Sequence, residues 1–159
     1  MSSLPQLVAL ARAAAAAHGL DPALVCAVVE QESAWNTWAV RYEPGFLSRY
    51  VAPLYTVGKI GATEAYTRAM SWGLMQVMGQ VAREEGLPDA TSIPQLCDPA
   101  TGLEYGCRVL RAKFAAANSD ASEAPSDEVA QRALLLWNGG ANKSYPAQVL
   151  ARLSHYAAA

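Results

Sequence analysis

Residues 24–33, Leu24-Val25-Cys26-Ala27-Val28-Val29-Glu30-Gln31-Glu32-Ser33, decide the fold. Asp21 offers an N-cap just before them, and Pro22 stands at the first helical position, where its missing N–H costs nothing. Leu24, Val25, Val28 and Val29 recur at helical spacing and make one apolar stripe. Glu32 lies four residues after Val28 and seven after Val25, so it points along that stripe. Glu30 falls on the opposite face and is expected in solvent. A charged carboxylate on an apolar face is costly. Desolvation and the negative end of the helix dipole both favour the protonated form, which is the state a general acid needs. A buried ion pair or a frayed helix end explains the same residue without chemistry, so the helix alone leaves both readings open.

The chain of 159 residues is long enough for one domain with a full core. Its net charge of −2 gives no electrostatic footprint for nucleic acid or for an anionic membrane. No apolar run approaches membrane-spanning length, so no membrane insertion is expected. The N-terminus does not read as a signal peptide: it lacks a basic start, Pro5 comes early and Arg12 interrupts the apolar run. Synthesis in the cytoplasm is expected. Residues 5–18 read instead as an Ala-rich helix. Cys97 and Cys107 would sit about 15 Å apart on a helix starting at Asp98-Pro99, too far for a disulfide. Three free thiols are therefore expected, with Cys26 and Cys107 as small core residues. His18 and His155 lie far apart in sequence and no C-x-x-C occurs, so no metal site and no cofactor are expected.

Residues 34–72 are the least regular stretch. They hold Trp35, Trp38, Tyr42, Phe46, Tyr50, Tyr55, Tyr66 and Trp72, eight of the thirteen aromatics. A connection this long is usually functional or carries structure of its own, and Thr63 to about Met70 reads as a short helix. Most of these aromatics are expected to pack, with two or three reaching a ligand. Gly73 is read as opening a helix with a stripe of Leu74, Val77, Met78 and Val81, stopped at Gly86. Asp98 caps a helix from Pro99 to about Ala117 through Leu103, Cys107, Leu110 and Phe114. Residues 118–125 read as a mobile surface loop. Ser126 caps the next helix, with Asp127 and Glu128 in its first turn. Val129, Ala133, Leu134 and Leu136 are its apolar set, and it ends at Trp137-Asn138-Gly139-Gly140. A last helix begins near Pro146. The fold expected is mainly α, a single compact domain over 1–159 of about six to seven helices with at most a short β-hairpin.

Three short motifs stand in order: Gln31-Glu32-Ser33 at a helix end, Gly73-Leu74-Met75-Gln76 at a turn, and Trp137-Asn138-Gly139-Gly140 after a third helix. Together they resemble the lytic transglycosylase domain of the soluble-lytic-transglycosylase type, in glycoside hydrolase family 23 with the goose-type lysozymes. The resemblance runs from about Leu20 to Tyr156 and implies the lysozyme-like α+β superfamily. It implies that Glu32 is the catalytic acid/base and that Ser33 beside it holds substrate or acid. By the same resemblance Met75 and Gln76 form the floor of the sugar groove, and Trp137, Asn138 and Tyr145 bind substrate. The implied partner is the glycan strand of peptidoglycan in the bacterial cell wall, cut between N-acetylmuramic acid and N-acetylglucosamine by a monomer. Two departures stand out. Trp137 replaces the family's usual tyrosine, leaving an N–H donor in place of a phenol. About 41–70 is an excess over the family's usual spacing and reads as an inserted lid or groove wall. Standalone domains of this kind resemble phage lysis or tail-associated enzymes.

The chemistry implied asks for one acid. Glu32 protonates the leaving oxygen and then, as a base, takes the proton of the C6 hydroxyl, which closes on C1 as a 1,6-anhydro ring. Two rivals compete. A goose-type inverting hydrolase would use Glu43 to activate water, with the carboxyls roughly 6.5–9.5 Å apart. Arg41 would keep Glu43 ionised, which suits a base and a surface ion pair equally. A non-catalytic wall-binding module is the other rival, and it has no need of a proton donor.

Overall fold

A computed structural model describes residues 2–118 and 126–157. The expected mobile loop, Asn118 apart, lies outside the described residues. The chain divides into two compact units: Met1–Gln31 with Cys107–Ala159, and Glu32–Gly106. The structure is mainly helical, as expected.

In the first unit, α1 (Leu4–Ala17) starts at a capping box in which the Ser3 N–H donates to Gln6 Oε1 at 2.8 Å. Leu7, Ala11 and Ala15, spaced four apart, form its buried edge. Helix α2 (Pro22–Ser33) begins where the Ala23 N–H donates to Asp21 Oδ1 at 2.7 Å, the cap the sequence predicts. Burial in α2 is wider than one stripe, because every residue from Leu24 to Val29 is enclosed. The long helix α7 (Pro99–Ala117) is capped by Asp98, which accepts from the Thr101 N–H at 3.0 Å. Its later part contributes Cys107 and Leu110 to this unit. In α8 (Asp127–Trp137) Ser126 accepts from the Val129 N–H, and Val129, Ala133 and Leu134 are buried. Leu136, expected on that face, is exposed. Helix α9 (Tyr145–Leu150) and a 3-10 turn, Leu153–His155, complete the unit.

Glu30 is not the solvated residue expected. Its carboxylate accepts from the Tyr156 hydroxyl at 2.7 Å and pairs with His155 Nδ1 at 3.1 Å and Arg152 Nε at 3.6 Å. The C-terminal turn folds back onto α2, and sequence spacing within α2 cannot show this. Burial opposes the charge, but the Tyr156 and His155 hydrogen bonds outweigh it and hold the Glu30 carboxyl below its usual range.

The second unit carries the sheet. Strands β1 (Val40–Tyr42), β2 (Met70–Trp72) and β3 (Val77–Met78) pair antiparallel in that order, with Val40 opposite Trp72 and Trp72 opposite Val77. Two expectations change here. The sheet has three strands where at most a hairpin was expected. The helix read as opening at Gly73 is a hairpin turn, and α6 starts only at Gly79 and runs to Glu84. The residues between β1 and β2 fold as α3 (Pro44–Phe46), a π-helical turn (Leu47–Val51), α4 (Ala52–Thr56) and α5 (Ala62–Arg68). They raise the expected six or seven helices to nine α-helical segments among the described residues. Val51, Ala65 and Ala69 form a small core under this segment, packed by Phe46, Leu47 and Ile60.

A charged clamp holds α5 to α6. Glu64 accepts from Arg68 Nε at 2.8 Å and from Arg83 Nε at 2.8 Å, and both guanidinium side chains are nearly buried. The Arg83 hydrogen bond is the main reason the Glu64 carboxyl lies below its usual range. Arg68 adds to it and burial opposes it. Cys26, Cys97 and Cys107 form no disulfide with one another, as expected; Cys26 and Cys107 are core residues as read from the sequence, Cys97 is buried as well, and burial pushes the Cys26 and Cys97 thiols up.

Candidate active site

Glu32 sits in the last turn of α2 and is half-buried, not enclosed as the apolar-face reading expected. The reason is where the helix ends. After Ser33 the chain leaves through Ala34 at φ 48° and Trp35 at φ 65°. Neither residue is glycine, and a left-handed non-glycine residue costs about 1–2 kcal/mol. Such backbone persists only where its surroundings over-determine it, and it gathers at functional sites. No residue type in Ser33-Ala34-Trp35 announces it, so sequence reasoning missed it.

The exit loop is fixed a few residues on. Ser33 O accepts from the Asn36 N–H at 2.9 Å, and Asn36 Oδ1 accepts from the Trp38 N–H at 3.0 Å. The Ala39 carbonyl then accepts twice, from the Gly73 N–H at 2.8 Å and from Gln76 Nε2 at 2.9 Å. The Gly73-Leu74-Met75-Gln76 turn is thereby joined directly to the loop that leaves the candidate acid. Gln76, itself at φ 49°, also donates to Gly73 O at 2.9 Å and accepts from the buried Ser71 hydroxyl at 2.9 Å. Both its amide hydrogens and its carbonyl are committed to protein partners. Met75 has no exposed surface, and its thioether lies where a side chain on Gly106 would have to be. The Gly73 backbone approaches Leu96 just as closely, a second place where only glycine fits.

Ser33 is half-buried beside Glu32. Glu43, in the same unit, follows β1 and pairs with Arg41 at 2.6 Å, with side chains 37 % and 67 % exposed. Arg41 is thus the partner the sequence predicts. The remaining candidates belong to the first unit. Trp137 is half-buried at the end of α8, and Asn138 caps that helix before Gly139 and Gly140, both at positive φ. Asn138 Oδ1 accepts from the Asn142 N–H at 3.2 Å, and the Asn142 carbonyl accepts from the N–H of buried Tyr145 at 3.2 Å. A cavity of about 550 Å³ in the first unit is lined by Leu20, Leu24, Phe114, Val129, Leu150 and Arg111. None of the candidate residues lines it. Among the described residues no three His, Cys, Asp or Glu side chains gather as a metal site, and no helix is long and apolar enough to cross a membrane.

The family model for the transglycosylase SLT domain matches residues 9–145. The chain belongs to the transglycosylase SLT family. It is therefore a lytic transglycosylase domain that acts on peptidoglycan, the polymer of the bacterial cell wall. No curated protein and no solved structure matches the chain significantly. The SLT match takes in residues of both units and every candidate named from the sequence, from Glu32 to Tyr145. The partners of Glu30 at Arg152, His155 and Tyr156 fall beyond it.

Proposed function

We propose that this SLT domain cleaves the β-1,4 bond between N-acetylmuramic acid and N-acetylglucosamine, with Glu32 as the single acid/base. The neutral carboxyl gives its proton to the leaving glycosidic oxygen as that C–O bond breaks, and positive charge develops at the muramic acid C1. The neighbouring acetamido group stabilises that centre. The Glu32 carboxylate then takes the proton of the C6 hydroxyl while its oxygen bonds to C1. The product ends in a 1,6-anhydro ring, and neither water nor a metal enters the balance. Ser33, Trp137 and Asn138 are assigned to holding the sugar, and Tyr145, which is buried, to supporting the loop after Asn138 through its N–H bond to the Asn142 carbonyl. Gln76 and Met75 act by fixing the turn, since their polar atoms and surface are engaged within the protein.

The observation that carries this reading is the placement of Glu32. It lies in the last turn of α2, two left-handed residues follow Ser33, and the exit loop is hydrogen-bonded to the second motif through Ala39. Glu43 is left out of the chemistry because it stands outside the three ordered motifs, which supply one acid; its pairing with Arg41 suits a base and a surface ion pair equally. Mass spectrometry of the released muropeptides tests both assignments. Anhydro products, one water lighter than hydrolysis products, are expected from the unaltered protein and from Glu43→Gln. Glu32→Gln is expected to fold and to release almost nothing. Reducing-end products that disappear in Glu43→Gln would replace this reading with the inverting hydrolase.

A further inference from the structure

Aromatic surface in the Glu32–Gly106 unit is used neither by the core nor by the proposed acid. Trp38 is 69 % exposed, Tyr66 52 % and Tyr42 40 %. Tyr50 and Tyr55 are exposed to a similar degree, so exposure alone does not single these rings out, and their arrangement beside the sheet edge does. Tyr42 and Tyr66 stand side by side, their ring centroids 6.0 Å apart and tilted by 46°. Val40 shares the Tyr42 face of β1 by strand alternation and is also exposed.

Among the described residues, the strand that carries Tyr42 is paired on one side only. Strand β1 is an edge of the sheet. The Gly73 N–H donates to Ala39 O, and the Glu43 N–H donates to Ala69 O at 2.9 Å, so residues 39 and 43 face β2 with their peptide groups. By the alternation of an antiparallel ladder, Val40 and Tyr42 direct theirs off the edge. The charges nearby cancel, because Arg41 and Glu43 pair with each other. The strand is also fixed to the second SLT motif, since Ala39 O is held by both Gly73 and Gln76.

We propose that Tyr42 and Tyr66, side by side at the sheet edge, together with Trp38 two residues before that strand, form an accessory glycan platform, a subsite for the peptidoglycan strand additional to the one that holds the bond being cleaved. The ligand class follows from the chemistry. An N-acetylated pyranose offers apolar C–H faces that lie on aromatic rings, one amide donor and one amide acceptor that match outward peptide groups, and no charge at its ring. The identity of the strand rests on the transglycosylase reading above. The aromatic richness of 41–70 gains a role here, since Tyr42 and Tyr66 sit near the two ends of that segment.

The test uses the full chain carrying Glu32→Gln, which stops turnover, and measures pelleting with insoluble purified peptidoglycan. Adding Trp38→Ala and Tyr66→Ala is expected to weaken binding about tenfold or more, the usual effect of truncating aromatic anchors. Tyr55→Ala, equally exposed but outside the platform, is the control and is expected to bind as the parent does. Unchanged binding by the double variant, or an equal loss in the control, overturns the platform. So does a change in oligomeric state on removing the rings with glycan binding intact, which would make the patch a contact between copies. If the double variant does not fold, fluorescence decides. A chitin oligosaccharide is expected to perturb the indole emission of the parent and much less that of Trp38→Phe, and an equal response overturns the proposal. Muropeptide release by the protein with Glu32 intact is followed in parallel. Release with unaltered binding of the double variant overturns the platform alone. Absence of release overturns the enzymatic reading and, with it, the platform's ligand.

Discussion

Gly73→Ala places two separable strains on the Gly73-Leu74-Met75-Gln76 turn. Gly73 holds φ at +67°, and an added Cβ would lie 2.2 Å from the carbonyl oxygen of Leu96, 3.1 Å from its carbon and 3.4 Å from the Cα of Cys97. The first strain is conformational and costs about 1–2 kcal/mol for a non-glycine residue. The second is steric. Its contacts are backbone atoms that cannot swing aside, so two chain segments must part by more than an ångström, at about 1–3 kcal/mol on the scale of overpacked cores. The sum is about 2–5 kcal/mol, a large share of a typical domain's stability. Two controls take the sum apart. Gly58 also has positive φ, at +72°, but nothing lies within 4 Å of its added Cβ, so Gly58→Ala measures conformation alone. Gly102 lies inside α7 with its added Cβ 2.4 Å from the same Leu96 oxygen. Gly102→Ala therefore measures the clash, offset by about 1 kcal/mol of gained helix propensity. Urea unfolding followed by circular dichroism gives each loss at a common slope. Gly73→Ala is expected to exceed either control and to approach their sum once that propensity gain is added back. A Gly73→Ala no less stable than Gly58→Ala would refute the close approach to Leu96 as the reason for glycine there.

Glu64 and Glu30 both have folded carboxyls held below their usual range, so the stability they contribute is complete above the unfolded value of about 4.3 and is lost as pH falls through the lower folded value. Glu64→Gln and Glu30→Gln are each expected to flatten the acid limb of stability against pH, and an unchanged limb in both would contradict the two clusters. All three cysteines are expected to titrate as thiols in denatured, non-reduced protein and to react slowly in the native state. One thiol with a Cys97–Cys107 bridge would contradict a helix continuous from Pro99.

Local chemistry in the sequence was enough to place α1, α2, α7 and α8 and to single out the candidate acid. Asp21 with Pro22, Asp98 with Pro99 and Ser126 with two acids are caps whose hydrogen bonds close within three residues, so they can be read without the rest of the chain. The ordered motifs carried the family for the same reason: residue identity and order survive any fold. What lies between distant segments was not legible. Glu30 looked solvated because His155 and Tyr156 stand more than a hundred residues away. The Gly73 turn looked like a helix start because its apolar residues fit a 3.6 period as well as a hairpin. Only the register with β1 and the Gln76 bonds to Ala39 and Ser71 decide between the two. The backbone of Ala34 and Trp35 is the clearest case. Nothing in those two residue types calls for a left-handed conformation, and it costs energy locally. Its flanks are fixed by the Asn36 N–H bond to Ser33 O and, further on, by the bonds of Gly73 and Gln76 to Ala39 O, which join it to a turn more than thirty residues away.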